Sequence, residues 1–337
     1  MVKKIAIILF FAIFLLMIAG CSSSSTKKTD DINIRTGFTG VDMEFLKGTP
    51  PAKMFEGDTF PVLIKVRNNG AYSIKKGQAI LSLGVEKDYI KKADLLAGGR
   101  ITSSGDSSKA ASFGLEGKSP INAIGDEEVI SYNLVAGKVD PQSETHTSTV
   151  IAALCYPYET VLTSNVCVDT DANNLRPAKK ACNMQDLVFG NGQGAPVAVT
   201  KIEVNMLPVI SSGKESADKI NPQFLIYIEN KDLGTVIRTE SVKDFCVKSS
   251  TEHKNLNIIY VDAYLSNTKL RCQLDVKGSP TERGHIKLKD KKDIIWCDLA
   301  EGVPAAQDPY LSPLKVELSY GYTQSISANY AMQKTAG

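Results

Sequence analysis

The sequence predicts an all-β protein: two tandem antiparallel β-sandwiches behind a short segment that belongs to neither. Three observations predict it. Short apolar runs alternate with period two and end in turn residues, as Val62-Leu63-Ile64-Lys65-Val66 does before Arg67-Asn68-Asn69-Gly70. Several such runs recur in the same order farther along the chain. Ahead of them, Lys3 and Lys4 precede an uncharged, almost wholly apolar stretch from Ile5 to Ala19. The 337 residues suit about two domains. With 43% hydrophobic and 23% charged residues, the composition is that of an ordinary globular chain. A formal net charge of +2 argues against a nucleic-acid binder.

The N-terminus comes first. A lysine pair followed by an apolar run has the layout of an export signal. The run is short for a permanent span, which wants about 20 apolar residues. It closes on Ile18-Ala19-Gly20-Cys21, followed by Ser22 to Ser25. This block resembles the lipobox of prokaryotic lipoproteins. The resemblance implies cleavage before Cys21 and lipidation of that cysteine as the new N-terminus. Residues 1–20 then form the signal peptide. Lys3 and Lys4 leave with it and no acid does, so the mature chain is neutral. Residues 21–31 form a flexible tether, because Ser22 to Asp31 contains no apolar residue to bury. Those ten residues reach at most roughly 35 Å.

The body reads as strands, with a possible short helix near Tyr89 to Leu96. Gly40-Val41-Asp42-Met43-Glu44 aligns with Lys201-Ile202-Glu203-Val204-Asn205 at an offset of 161. Val62 to Asn68 aligns with Phe224 to Asn230 at 162, and Glu128 to Leu134 with Asp293 to Leu299 at 165. Leu154-Cys155-Tyr156-Pro157-Tyr158 aligns with Leu318-Ser319-Tyr320-Gly321-Tyr322 at 164. Four ordered matches with so little drift read as tandem duplication of one β unit. The expected organisation is a first sandwich over residues 32–170, a linker over 171–195 and a second sandwich over 196–331. The turn after Asn230 should be longer than that after Asn68, since its glycine comes later, at Gly234.

The block from Glu56 to Gly70 resembles the immunoglobulin-like modules of prokaryotic surface proteins, the adhesion-related bacterial ones most closely. In those modules an acidic turn, an alternating strand and Asn-x-Gly join the second and third strands. The resemblance implies two tandem immunoglobulin-like sandwiches and a non-catalytic place at the cell surface.

Besides Cys21 there are six cysteines: Cys155, Cys167, Cys182, Cys246, Cys272 and Cys297. An even count in an exported chain suggests disulfides. Six allow fifteen pairings. One set joins Cys272 to Cys297, Cys167 to Cys182 across the linker, and Cys155 to Cys246 between the two copies. Cys155–Cys167 across a hairpin competes with it, and buried free thiols are the plain alternative. No C-x-x-C supports a metal site.

Catalytic patterns are absent from the sequence. His146, His253 and His285 lie far apart, and there is no H-E-x-x-H, G-x-S-x-G or phosphate-binding glycine loop. Asp169-Thr170-Asp171-Ala172-Asn173 opens like an EF-hand calcium loop. Asn174 stands where glycine is needed, however, and Lys180 where a bidentate glutamate is needed. A looser calcium site could use Asp169 and Asp171; the alternative is a solvated turn. The Lys287 to Lys292 run reads as a hairpin surface. Tyr156/Tyr158 and Tyr320/Tyr322 each put two rings on one strand face, for packing or, less simply, as an exposed binding stripe.

Together these readings describe a lipid-anchored, extracytoplasmic, non-enzymatic protein without cofactor. Its role is binding, adhesion or surface assembly with a protein or glycan partner, and no nucleic acid. The alternatives are a carboxylate-dependent hydrolase, or an accessory subunit of a secretion or pilus-like machine. The anchor has a direct consequence. Cys21→Ala should move the protein from the membrane to the soluble fraction on cell fractionation; unchanged membrane association would remove the lipid assignment.

Overall fold

Alternating burial sorts the described residues into twenty strands and one short α-helix. The computed structural model describes residues 34–104, 107–172, 174–177, 179–211, 214–248, 252–278 and 283–335. The signal segment, Cys21 and the tether lie outside them. The first half holds β1 (Val41–Phe45), β2 (Lys53–Phe55), β3 (Thr59–Asn68), β4 (Ile74–Gly84) and β5 (Ile90–Leu95). It continues with β6 (Thr102–Ser104), β7 (Ser107–Leu115), β8 (Glu127–Ala136) and β9 (Thr145–Val168). The second half holds β10 (Leu187–Val188), β11 (Val197–Ser211), β12 (Lys214–Asn230), β13 (Thr235–Ile237) and helix α1 (Val242–Lys248). After the helix come β14 (Ile258–Leu265), β15 (Thr268–Lys269), β16 (Arg271–Cys272) and β17 (His285–Lys287). The last are β18 (Lys292–Asp298), β19 (Val303–Pro304) and β20 (Tyr310–Gln333).

Each half carries an outer sheet of the same order. In the first it is β1-β3-β8-β5; in the second, β11-β12-β18-β16, with β10 added beyond β11. This is the A-B-E-D sheet of an immunoglobulin sandwich. The facing sheet is shared. It runs β15-β14-β20-β9-β4-β7-β6, so the final strand of each half lies beside the final strand of the other. An immunoglobulin domain would place its own seventh strand there.

The shared pairing is long and regular. β9 and β20 run antiparallel in unbroken register from Thr145↔Gln333 to Val168↔Tyr310. At its centre Pro157 lies opposite Gly321, flanked by Tyr156↔Tyr322 and Tyr158↔Tyr320. A local twofold axis therefore passes through the Pro157–Gly321 pair. Inward residues such as Ala152, Leu154, Leu162, Val316 and Leu318 are buried. Each fully buried branched aliphatic side chain favours folding by about 1.5–3 kcal/mol. One hydrophobic cluster takes residues from both halves, and Ile34–Gly337 form one compact unit.

The four tyrosines at the axis are fully buried or nearly so, and their hydroxyls are used. Tyr156 Oη accepts from Val41 N at 3.1 Å, and Tyr320 Oη accepts from Val197 N at 3.2 Å. Tyr158 donates to Asn68 Oδ1 at 3.0 Å, and Tyr322 to Asn230 Oδ1 at 3.2 Å. The carbonyls of the same two valines are taken by the opposite half: Gln324 Nε2 donates to Val41 O, and Thr160 Oγ1 to Val197 O. Burial pushes all four phenols above their ordinary pKa. These rings are packing and pinning groups, and the exposed-stripe alternative does not hold.

Both asparagines close a corner of the same size. Asn68 Nδ2 donates to Tyr72 O at 2.7 Å and Asn230 Nδ2 to Gly234 O at 2.9 Å, each four residues on. The longer second turn expected from the sequence is therefore absent at this point. Gly70 is needed in the first corner, because a Cβ there would stand 1.9 Å from Tyr158 Oη.

Two further expectations are corrected. Tyr89 to Leu96 is not a helix. Ile90–Leu95 pairs with β8, burying Ile90 and Ala93 where a β edge, and not a helical face, meets the core. The Gly40–Glu44 alignment was displaced: Val41 faces Asn68, and Val197 faces Asn230, so Val41 corresponds to Val197. A bulge between Val199 and Lys201 shifts the register and hides the match. The segment 171–195 does not hang free. Gly37 N donates to Asn191 O at 2.7 Å, Gly194 N to Gly37 O at 2.9 Å and Ala71 N to Gly194 O at 2.8 Å. Buried Gln193 is bonded at both ends of its amide to Val199.

The disulfides are Cys155–Cys246, Cys167–Cys182 and Cys272–Cys297. Cys155–Cys246 holds helix α1 against β9 across a separation of 91 residues. The helix presses so closely at the axis that a Cβ on Gly321 would meet Val242 Cγ2 at 2.7 Å.

Asn68→Ala should cost about 2–4 kcal/mol in urea unfolding, since it removes a fully buried amide and leaves the Tyr158 hydroxyl only a long 3.5 Å bond to Gly194 O. Asn230→Ala should cost a similar amount. A loss below about 0.5 kcal/mol at either site would show that the corner pins are dispensable.

Candidate functional site

A groove opens where the two halves meet. The outward faces of β1 and β3 bring Asp42, Glu44, Lys65 and Arg67 to one wall. The corner after β12 brings Asp232 and Leu233 to the other, and β20 lays Thr323 and Ser325 across the floor. The volume is about 770 Å3. The groove follows from the fold: the outward positions of β1 and β3 that face it are polar, and the corners after β3 and β12 bring Asn69 and Asp232 to its lining.

Its charges are largely matched. Lys65 pairs with Glu44, and Arg67 with Glu127. Asp42 accepts a hydrogen bond from Asn69 Nδ2. Burial pushes the Asp42 carboxyl above the ordinary aspartate range, the Asn69 bond opposes it, and the nearby charge of Asp232 adds to the rise. Asp232 Oδ1 accepts from Leu233 N at 2.8 Å, while its Oδ2 is shielded from solvent without a hydrogen-bond partner. Chemically, the site offers the carboxyl groups of Asp42 and Asp232, with Glu44 paired to Lys65, beside a hydroxyl floor. Such a site can hold a polar ligand by hydrogen bonds.

The residues singled out in the sequence fall elsewhere. Asp169 and Asp171 sit together in a buried turn, held by charge within the chain. Lys180 Nζ lies 2.6 Å from Asp169 Oδ2, and the Asp171 carboxylate accepts from Leu175 N and Arg176 N at 2.8 and 3.0 Å. The Lys180 ammonium stands where a divalent ion would meet Asp169. Among the described residues no cluster of three or more His, Cys, Asp or Glu is placed to hold a metal. The three histidines are not brought together: His146 stacks on Tyr89 and meets Glu86, His285 is buried on β17, and His253 lies in a short 3-10 turn. Lys289 and Lys292 bridge the hairpin between β17 and β18. The groove was missed because its walls are distant in sequence. The one local signal was the pair of corners, Asn68-Asn69-Gly70 and Asn230-Lys231-Asp232, which lie at the same 162-residue offset as the strands before them.

No family model matches the chain, and no curated relative was found for it. Among solved structures it is similar to a secreted serine protease, VesC from Vibrio cholerae, with 10% identity and a TM-score of 0.20. That match covers 86% of this chain and 51% of the other, so the chain spans about half the length of VesC. It is also similar to a structure described as BspA_C_WT, with 10% identity and a TM-score of 0.19, covering 86% of this chain and 97% of that one. A third is the C-terminal domain of the Streptococcus pyogenes antigen I/II-family protein AspA, with 9% identity and a TM-score of 0.18, covering 88% and 100%. At such scores none of these likenesses carries an argument about function.

The electrostatics of the groove are testable. NMR titration should place the Asp42 carboxyl above the ordinary aspartate value of about 3.9. Asp232→Asn should move it down, because a neighbouring negative charge is removed. An unmoved midpoint would mean that the two acids do not interact.

Proposed function

We propose that this chain is an exported, lipid-anchored, non-catalytic binding protein of the cell surface, built by tandem duplication of one immunoglobulin-like module. Residues 1–20 are the signal peptide, Cys21 carries the lipid and 21–31 form the tether. The modules occupy 32–170 and 196–331, joined by 171–195. The identical order of the outer sheets and the matched Tyr–Asn pins support the duplication. Three disulfides suit an oxidising compartment. The single observation that carries the binding role is the groove walled by both halves. A duplicated module gains there a site that neither copy has alone. The partner is a protein or glycan at the cell surface.

A second reading has one observation in its favour. Asp42 and Asp232 share the groove, and a pair of carboxyl groups, one of them raised by burial, is the arrangement a hydrolase uses. It requires Asp42 to hold its proton, so an Asp42 midpoint in the ordinary carboxylate range removes it.

Photo-crosslinking on intact cells tests the binding role. A crosslinking residue at Leu233, 94% exposed at the groove rim, should capture a defined partner. The same group at Leu175, 81% exposed in the Cys167–Cys182 loop, should not. Equal capture at both positions would overturn the groove assignment.

A further inference from the structure

The two outer sheets act as internal controls for one another. Their inward positions are apolar and fully or almost fully buried in both halves: Ile64 and Ile226, Ile130 and Ile295. Their outward positions differ in kind. In the first half Glu44, Lys65 and Val129 lie in one cross-strand row, with Lys65 ion-paired to Glu44. The corresponding row in the second half is Lys201, Tyr227 and Ile294. The next row pairs Leu63 with Ser131 in the first half, but Leu225 with Trp296 in the second. At two of these places the fold demands nothing apolar, since the first half has Lys65 and Ser131 where the second has Tyr227 and Trp296; Val129 and Leu63 are apolar, as Ile294 and Leu225 are. Yet Trp296 is 45% exposed and Ile294 52% exposed. A shallow cavity of about 540 Å3 opens between Tyr227 and Ile294. Contiguous exposed apolar surface of this kind marks a contact site.

The charges on this face select the class of ligand. Lys201 Nζ lies 2.7 Å from Glu203 and 3.3 Å from Asp186. Glu229 is flanked by Lys231 at 3.4 Å and Lys292 at 3.3 Å. Lys201, Lys231 and Lys292 are thus each paired with Glu203, Asp186 or Glu229, and Asp293, which also lines the cavity, has its carboxyl pushed above the ordinary aspartate range by burial, which disfavours its charge. What remains is a flat aromatic and aliphatic surface edged by carboxylate oxygens. Tyr227 donates to Glu203 Oε1 at 2.7 Å, which fixes both the ring and the carboxylate. A carboxylate has about four acceptor positions, so Glu203 keeps capacity after serving Lys201 and Tyr227.

We infer that the outer face of β12 and β18 binds a neutral oligosaccharide, sugar rings stacking on Trp296 and Tyr227 while ring hydroxyls donate to Glu203. The match is one of charge and shape. An uncharged pyranose has a C–H face for the aromatic rings and edge hydroxyls for the carboxylate. This is a second site, beyond the groove, and does not depend on it.

Trp296 is the chain's one tryptophan, so intrinsic tryptophan fluorescence reports on this face. The mature full chain is titrated separately with cellohexaose, maltohexaose, chitohexaose and mannohexaose. At least one should change the emission saturably. Tyr227→Ala should weaken that binding about tenfold or more. Glu203→Gln, which keeps the side-chain shape, should weaken it several-fold, and Val129→Ala, at the first-half position equivalent to Ile294 and outside the groove, should leave it unchanged. Circular dichroism checks each variant's fold, and Glu203→Gln decides if Tyr227→Ala does not fold. No saturable change with any of the four sugars would overturn the inference. So would unaltered affinity in Glu203→Gln, or an emission change that follows protein concentration without sugar, which would mark the face as a contact between two copies of this chain. Crosslinking at Leu233 is read independently, so the groove and this face can fail separately.

Discussion

The antiparallel pairing of β9 with β20 is the constraint on which the rest of the structure depends. An immunoglobulin sandwich closes its second sheet with a strand of its own. Here that place is taken by the other half, over the whole length of two 24-residue strands. The backbone groups along that edge are satisfied only by the partner half. The core then becomes continuous across the middle of the molecule, and the tyrosines at the axis come to lie in a dry interior. A phenol buried there must find a hydrogen-bond partner. The two Asn-closed corners and the backbones of Val41 and Val197 supply them.

Other features follow from this centre. Gln324 and Thr160 reach across the axis, so the first strand of each outer sheet is held by a side chain of the opposite half. Helix α1 lies over the outer side of the shared sheet, where Gly321 leaves room and Cys155–Cys246 locks the helix down, and β13 pairs with β20 within that sheet. The segment between the halves packs along the start of the first outer sheet through Gly192 and Gly194. The junction is thus fastened by a ladder, a disulfide and the linker itself.

Much of this was legible in the sequence, and the reasons for the failures are physical. Alternation in Val62–Val66 and in Leu154–Tyr158 marks strands and their buried faces. It does not say which strand lies next to which, and so the exchange between β9 and β20 was invisible. The Val197 strand was misaligned because one bulged residue resets the pattern. Lys91 and Lys92 interrupt the alternation of β5 and gave it a helical look, while α1, at seven residues, is too short to show a period. The groove was unreadable because Asp42 and Asp232 meet only after the halves fold together. The outer aromatic face was within reach: Tyr227, Ile294 and Trp296 all occupy the outward phase of their strands.

The path of the chain into the folded body has a mechanical consequence. Between Ile34 and β1, Gly37 is hydrogen-bonded to Asn191 and Gly194. Tension applied from the N-terminal side therefore reaches the linker before it reaches β1. A pull that would otherwise peel one edge strand is divided between both halves, and the ladder of β9 and β20 ties those halves into a single load-bearing body.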